Sequence, residues 1–175
     1  QNAQRVTHTH QVLTALADVL SVMKDAETGQ RGYLITGDVR YLEPFQEAIV
    51  QIDRKINDLA VLLDDNPDQQ RRLPALRSHI DAKRTELLET VALRRGQGFE
   101  AAKDVVTADS GKAAMDALRS LVGEMQDEER TRRNRRLAEM ELAHQITIGS
   151  GLLTGLLGLL TSLAVAYLLR RAILG

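Results

Sequence analysis

"AETGQRGYLITGD", residues Ala26–Asp38, sets two glycines, a glutamate, an arginine and a tyrosine at the end of a long helical pattern. Upstream, Val6, Leu13, Leu16, Leu20 and Met23, with Leu34 beyond, fall on a heptad seam. That spacing predicts a helix from about Ala3 to Thr36. Gly37 suits a left-handed C-cap and Asp38 an N-cap, so a second helix should start there. Positions 6, 13, 20, 27 and 34 read Val, Leu, Leu, Glu, Leu, and 16, 23 and 30 read Leu, Met, Gln. Glu27 and Gln30 thus enter the core stripe as one polar layer. Arg31 lies one turn after Glu27, where an ion pair can form, and a buried carboxylate needs such a partner.

Three more helical segments follow, and period-two alternation is missing throughout. The second runs from Asp38 to about Leu63, with Ile49, Ile52, Ile56, Leu59 and Leu63 on one stripe. "DDNPD", Asp64–Asp68, reads as a turn. The third carries Leu73, Leu76, Ile80, Leu87 and Val91, reaches "RRGQG" at Arg94–Gly98 and extends toward Val106. "ADSGK", Ala108–Lys112, is the last break, and the fourth segment holds Met115, Leu118, Val122 and Met125. Pro44 and Pro74 lie near two helix starts, so those helices either begin later or kink. Short connections make neighbours antiparallel. The expected fold is all-α, an elongated up-down-up-down four-helix bundle.

Ile146–Leu169, "ITIGSGLLTGLLGLLTSLAVAYLL", is 24 residues without a charge. About 20 apolar residues span a bilayer core, so a transmembrane helix is expected here as the continuation of the fourth helix. Its C-terminal place excludes a signal peptide. The domain reading is therefore 1–145 for the bundle, 146–169 for the span and 170–175 for the start of a linker. Arg170 and Arg171 follow the span, and Arg130, Arg132, Arg133, Arg135 and Arg136 precede it. Arginine counting alone would put the bundle inside the cell. Gly151 and Gly155 form G-x-x-x-G, with Gly158 and Ser162 extending a small-residue ridge that suits pairing with another membrane helix. The chain starts at Gln1 rather than Met, which suggests a piece of something longer.

Several chemistries are disfavoured. Net charge is −1, from 23 basic and 24 acidic residues, which argues against nucleic acid as a partner. Cysteine and tryptophan are absent and aromatics are 3%, so thiol chemistry and aromatic cages are not expected. "GQGFEA", Gly96–Ala101, matches a dinucleotide fingerprint only by letters, because a helix rather than a strand precedes it. It reads better as a local helix break. His8 and His10 point to different helix faces, so no metal site is expected. No nucleophile elbow or phosphate loop appears, and neither a catalytic residue nor a cofactor is assigned. "QDEERTRRNRR", Gln126–Arg136, has no apolar residue. Glu128–Arg132 and Glu129–Arg133 have the i,i+4 spacing of a solvated helix surface. A second reading makes this a weakly packed segment that moves and passes a signal.

"DAETGQRGYLITGDVRYLEPFQEA", Asp25–Ala48, resembles the signature of the third CHASE family of extracytoplasmic sensor domains. Glu27, Thr28, Gly29, Arg31, Gly32, Tyr33, Leu34, Thr36, Gly37, Tyr41, Leu42 and Pro44 carry the match. "DNPDQQRRLPAL" from Asp65, "LRRGQGFEAAKDVV" from Leu93 and "GKAAMDALRSLV" from Gly111 agree with it. The resemblance implies a four-helix bundle held outside the cytoplasm between two membrane helices, at the bacterial inner membrane, which reverses the arginine count. Such domains are inputs of sensor histidine kinases, diguanylate cyclases and chemoreceptors. "LRRAILG", Leu169–Gly175, is similar to the start of a HAMP-type linker. "TRRNRR" departs from the family, where leucines are common.

Equal rise along antiparallel helices brings Arg94 and Arg95 to the level of Tyr33–Thr36. Glu27, Arg31, Tyr33, Arg94 and Arg95 are thus a candidate small-ligand site with arginine donors for a carboxylate or phosphate. The competing and preferred view is a structural polar layer that sets helix register. The expected function is a non-enzymatic sensory module of a membrane receptor, a homodimeric histidine kinase first. Its partners would be the lipid bilayer and a small-molecule or protein stimulus. A cyclase or chemoreceptor output, and a purely structural dimerising anchor, are the rivals.

Overall fold

A computed structural model describes the backbone of Asn2–Leu174 and the side chains of residues 7–138, 154–159, 161–162 and 170–171. The described residues form six α-helices and one 3-10 turn, with no strand. They are α1 (Asn2–Thr36), α2 (Leu42–Leu62), α3 (Pro67–Gln70), α4 (Leu73–Gln97), α5 (Phe99–Thr107) and α6 (Ser110–Leu174). The chain divides into two units, Gln1–Thr131 and Arg132–Gly175. The first holds the core, and the second is the remainder of α6.

Helices α1, α2, α4 and α6 feed one hydrophobic cluster. Beside the buried Val22, Glu27 and Leu34, α1 has a core stripe of Thr9, Val12, Leu16, Val19, Met23, Ala26, Gln30 and Tyr33. They alternate by three and four, a strict heptad. Of the expected seam, Leu16, Met23, Glu27, Gln30 and Leu34 are buried, but Leu13 and Leu20 are only partly buried and lie one residue off the stripe. Val12 and Val19 beside them are equally apolar, so hydropathy could not choose between the two stripes. Ala26 is small and Thr9 polar, which hid the true one. On α2 the core residues are Leu42, Phe45, Ala48, Ile52, Ile56 and Leu59, with Leu63 just past the end. Leu76, Ile80, Leu87 and Val91 come from α4, and Met115, Leu118, Val122 and Met125 from α6.

The breaks explain the prolines. Gly37 has φ 71°, and its N–H donates to the Tyr33 carbonyl at 2.8 Å. Asp38 caps a 3-10 turn, Val39–Tyr41, instead of an α-helix, and α2 starts only at Leu42. Pro44 then lies in the first turn, where the N–H it lacks has no intrahelical partner to lose. Pro74 occupies the same kind of place in α4. Both helices begin later, and no kink is required. The "DDNPD" turn contains a helical turn of its own, α3, capped by the Asn66 side chain. The third segment is split: Gly98, at φ 93° and ψ −172°, separates α4 from α5.

Among the described residues no helix is long and apolar enough to cross a membrane. Most side chains of the expected span Ile146–Leu169 lie outside the described residues, while its backbone is helical as part of α6.

Candidate functional site: a buried charged layer beside an apolar cavity

The heptad of α1 carries Glu27 and Gln30 inward, and α4 answers with polar residues at its own core positions. Lys83 is 3% exposed and its Nζ lies 3.0 Å from Glu27 Oε1 and 2.8 Å from Glu86 Oε2. Arg31 Nη2 donates to Glu27 Oε1 at 3.2 Å, as its spacing predicts. Arg119 of α6 reaches Glu27 Oε2 at 3.9 Å. Gln30 Nε2 donates to Thr90 Oγ1 at 2.6 Å, and that hydroxyl donates back to α4 carbonyls of Glu86 and Leu87. One polar layer therefore ties three helices together.

Lys83, Glu86 and Thr90 are missing from the sequence reading, and the signal for them was present. Leu76, Ile80, Lys83, Leu87 and Thr90 continue the alternation of three and four. A lysine on that stripe, level with a glutamate on another, marks an ion pair across the core. Burying these charges is tolerable because each meets an opposite one.

One turn further along, Arg94 Nε donates to the Leu34 carbonyl at 2.9 Å, so the predicted register of α1 and α4 holds. The Arg94 guanidinium also lies over the Phe99 ring, 5.8 Å from its centre, a cation–π distance. The five candidate residues do not converge, however. Tyr33 is buried in the hydrophobic cluster, and Arg95 is exposed. Only Arg31 lines the cavity found here, of about 330 Å³, with Leu34 and Ile35 of α1 and Phe99, Lys103 and Val106 of α5.

A second polar cluster joins α3 to α6. Glu129 is 4% exposed and accepts from Asn66 Nδ2 at 3.0 Å and from Gln69 Nε2 at 3.5 Å. Gln69 Nε2 also donates to the Met125 carbonyl at 2.9 Å. Arg72 Nη1 donates to Glu128 Oε2 at 2.6 Å. The segment from Gln126 is thus not wholly a solvated surface. Glu129 continues the stripe Met115, Leu118, Val122, Met125, and Glu128 and Glu129 turn to α3 and α4.

Residues 2–139 match the CHASE3 domain. The chain belongs to the CHASE3 domain family. The sensor domain of the histidine kinase HK9 from Rhodopseudomonas palustris is similar, with a TM-score of 0.65 and 23% identity. The match covers 70% of this chain and 95% of that one, and at this identity it speaks for the fold alone. No curated protein matches the chain.

The glycines of the CHASE3 motif now have a physical role. A Cβ on Gly29 would stand 2.7 Å from the Tyr41 carbonyl oxygen and 3.0 Å from the Phe45 nitrogen. One on Gly32 would fall on the Tyr41 ring. The motif thus lets the start of α2 pack directly on the α1 backbone. Gly111, in the last motif segment, does the same for the Glu86 carboxylate, which occupies the space a side chain there would fill. In this CHASE3 domain, a helical sensor module, motif residues pack the start of α2 on α1 and supply Glu27, Arg31 and Arg119 to the charged layer that Lys83 and Glu86 complete.

Proposed function

We propose that the chain is the extracytoplasmic input module of a membrane-bound sensor histidine kinase. In this proposal residues 1–145 form an up-down-up-down four-helix bundle outside the cytoplasm, residues 146–169 cross the inner membrane, and two copies pair. Membership of the CHASE3 family over residues 2–139 carries the reading. The uncharged run Ile146–Leu169 and its place on α6, the helix that also supplies Met115–Met125 to the core, support it. A stimulus would shift α6 against α1 and α4 by a small translation or rotation. The layer of Glu27, Lys83, Glu86 and Arg119 favours discrete positions over continuous sliding, since a shifted helix would leave buried charges unpaired.

In the full-length receptor, alkaline phosphatase fused after residue 145 should be active and fused after Gly175 inactive. Arg119→Glu, which sets a like charge beside Glu27, should change autophosphorylation of the receptor severalfold. An inactive fusion after residue 145 refutes the orientation. Output indifferent to Arg119→Glu and to other substitutions in the layer would favour a structural anchor.

A further inference from the structure

The cavity between α1 and α5 has features of a ligand site that the charged layer lacks. Arg31, Leu34 and Ile35 line it from one helix, and Phe99, Lys103 and Val106 from the other. The second set has i, i+4, i+7 spacing, so one face of α5 looks onto it. Ile35 is 75% exposed, Phe99 42% and Val106 40%. Apolar side chains left open together in one concave place mark interaction sites more often than scattered ones do. The rest of the lining is cationic, one residue per helix, and no acidic residue takes part.

Those cations retain capacity. Arg31 uses one guanidinium nitrogen on Glu27, and a guanidinium has five N–H donors. Lys103 pairs with Glu100 at 2.9 Å, but both side chains are at least half exposed, so that pair is weak and replaceable. Arg94, held on the Leu34 carbonyl and stacked on Phe99, adds a third positive charge beside the lining. The volume of about 330 Å³ accommodates on the order of ten non-hydrogen atoms, at about 30 Å³ for each water-sized group. Helix α5 is set apart from its neighbours by left-handed residues on both sides, Gly98 at φ 93° and Asp109 at φ 60°. Its one buried residue is Ala102, which does not line the cavity.

We infer that this cavity binds a small monocarboxylate with an apolar tail, the tail against Leu34, Ile35, Phe99 and Val106 and the carboxylate between Arg31 and Lys103. This ligand class rests on the sensory reading above, and it replaces a site centred on Glu27 and Tyr33, whose own charges and packing are already satisfied. Occupation would join α5 to α1 next to the Glu27 layer, so the ligand would act on the packing from which α6 takes its position.

The test uses the full chain in lipid nanodiscs, titrated with 3-phenylpropionate, 3-phenylpropylamine and acetate by calorimetry and by thermal melts. The acid should bind saturably with a dissociation constant of ~1 mM or below. The amine and acetate should bind at least tenfold more weakly. Ile35→Asp and Lys103→Glu, both at exposed positions, should weaken the acid tenfold or more while leaving the ligand-free melting temperature within about 3 °C of the parent. Equal binding of acid and amine overturns the proposal, as does binding indifferent to both substitutions, or no binding by a normally melting chain. An active fusion after residue 145 together with no acid binding would sink this site and leave the receptor reading standing. The reverse result would do the opposite.

Discussion

Replacing Lys83 with methionine tests the physical core of this domain. Lys83 is the hub of the layer, 3.0 Å from Glu27 and 2.8 Å from Glu86. Glu27 keeps Arg31 at 3.2 Å and Arg119 at 3.9 Å when the lysine is gone. Glu86 is 8% exposed, and among the described residues its ion pairing runs through Lys83. The loss therefore falls mainly on Glu86. Two unit charges 2.8 Å apart attract by roughly 6 kcal/mol at an effective dielectric of about 20. Desolvation offsets part of that attraction. Breaking one partner of a buried pair costs about 3–5 kcal/mol, because the other charge stays behind unpaired. For a unit of this size that is a fall on the order of 10–20 °C in melting temperature, read by far-ultraviolet circular dichroism. Adding Glu86→Gln to Lys83→Met removes the stranded charge and should restore more than half of the loss. A single substitution that costs under about 1 kcal/mol would refute the reasoning. So would a double variant whose cost is the sum of the two singles, because it would show that the two side chains are uncoupled.

Two further outcomes follow from the motif itself. Gly29→Ala should destabilise by about 1–3 kcal/mol, and by more than Gly32→Ala, because backbone atoms of Tyr41 and Phe45 oppose the first and a side-chain ring the second. Gly96→Ala is the control in the same denaturation assay: nothing stands within 4 Å of its Cβ position, so relief of glycine's helix penalty should stabilise α4 by about 0.5–1 kcal/mol. Asp38 should titrate below the ordinary aspartate range, because the Arg40 side chain and then its backbone N–H donate to the carboxylate. Its support of the turn is thus present above about pH 3.9 and fades as pH falls through the lower folded value. Carboxyl NMR should show this value rise in Arg40→Gln, and an unchanged titration would contradict the assigned cause.

Much of this protein is local, and so could be read before any fold was known. Helices with glycine and proline punctuation follow from backbone preferences that each residue carries with it. The seam on α6 was legible through Met115, Leu118, Val122 and Met125, and that on α2 from Ile52 to Leu63, although Ala48 rather than Ile49 holds the core position before it. The ion pair of Glu27 with Arg31 was legible because i,i+4 geometry is internal to one helix. The family motif was legible too, since its glycines and the Gly37 turn are sequence features first. What failed depends on partners far along the chain. Val12 and Val19 displaced Leu13 and Leu20 only through contact with the other helices. Lys83 acquires meaning only 3.0 Å from Glu27, and Glu129 only against Asn66 and Gln69. The cavity needed the break at Gly98, which frees Phe99–Thr107 to form a separate helix against Leu34 and Ile35. A sequence determines which residues can be helical and which can be charged. Only tertiary packing decides which neighbour each charge meets, because that contact energy acts between segments, whereas the period of one segment tells only which face a charge lies on.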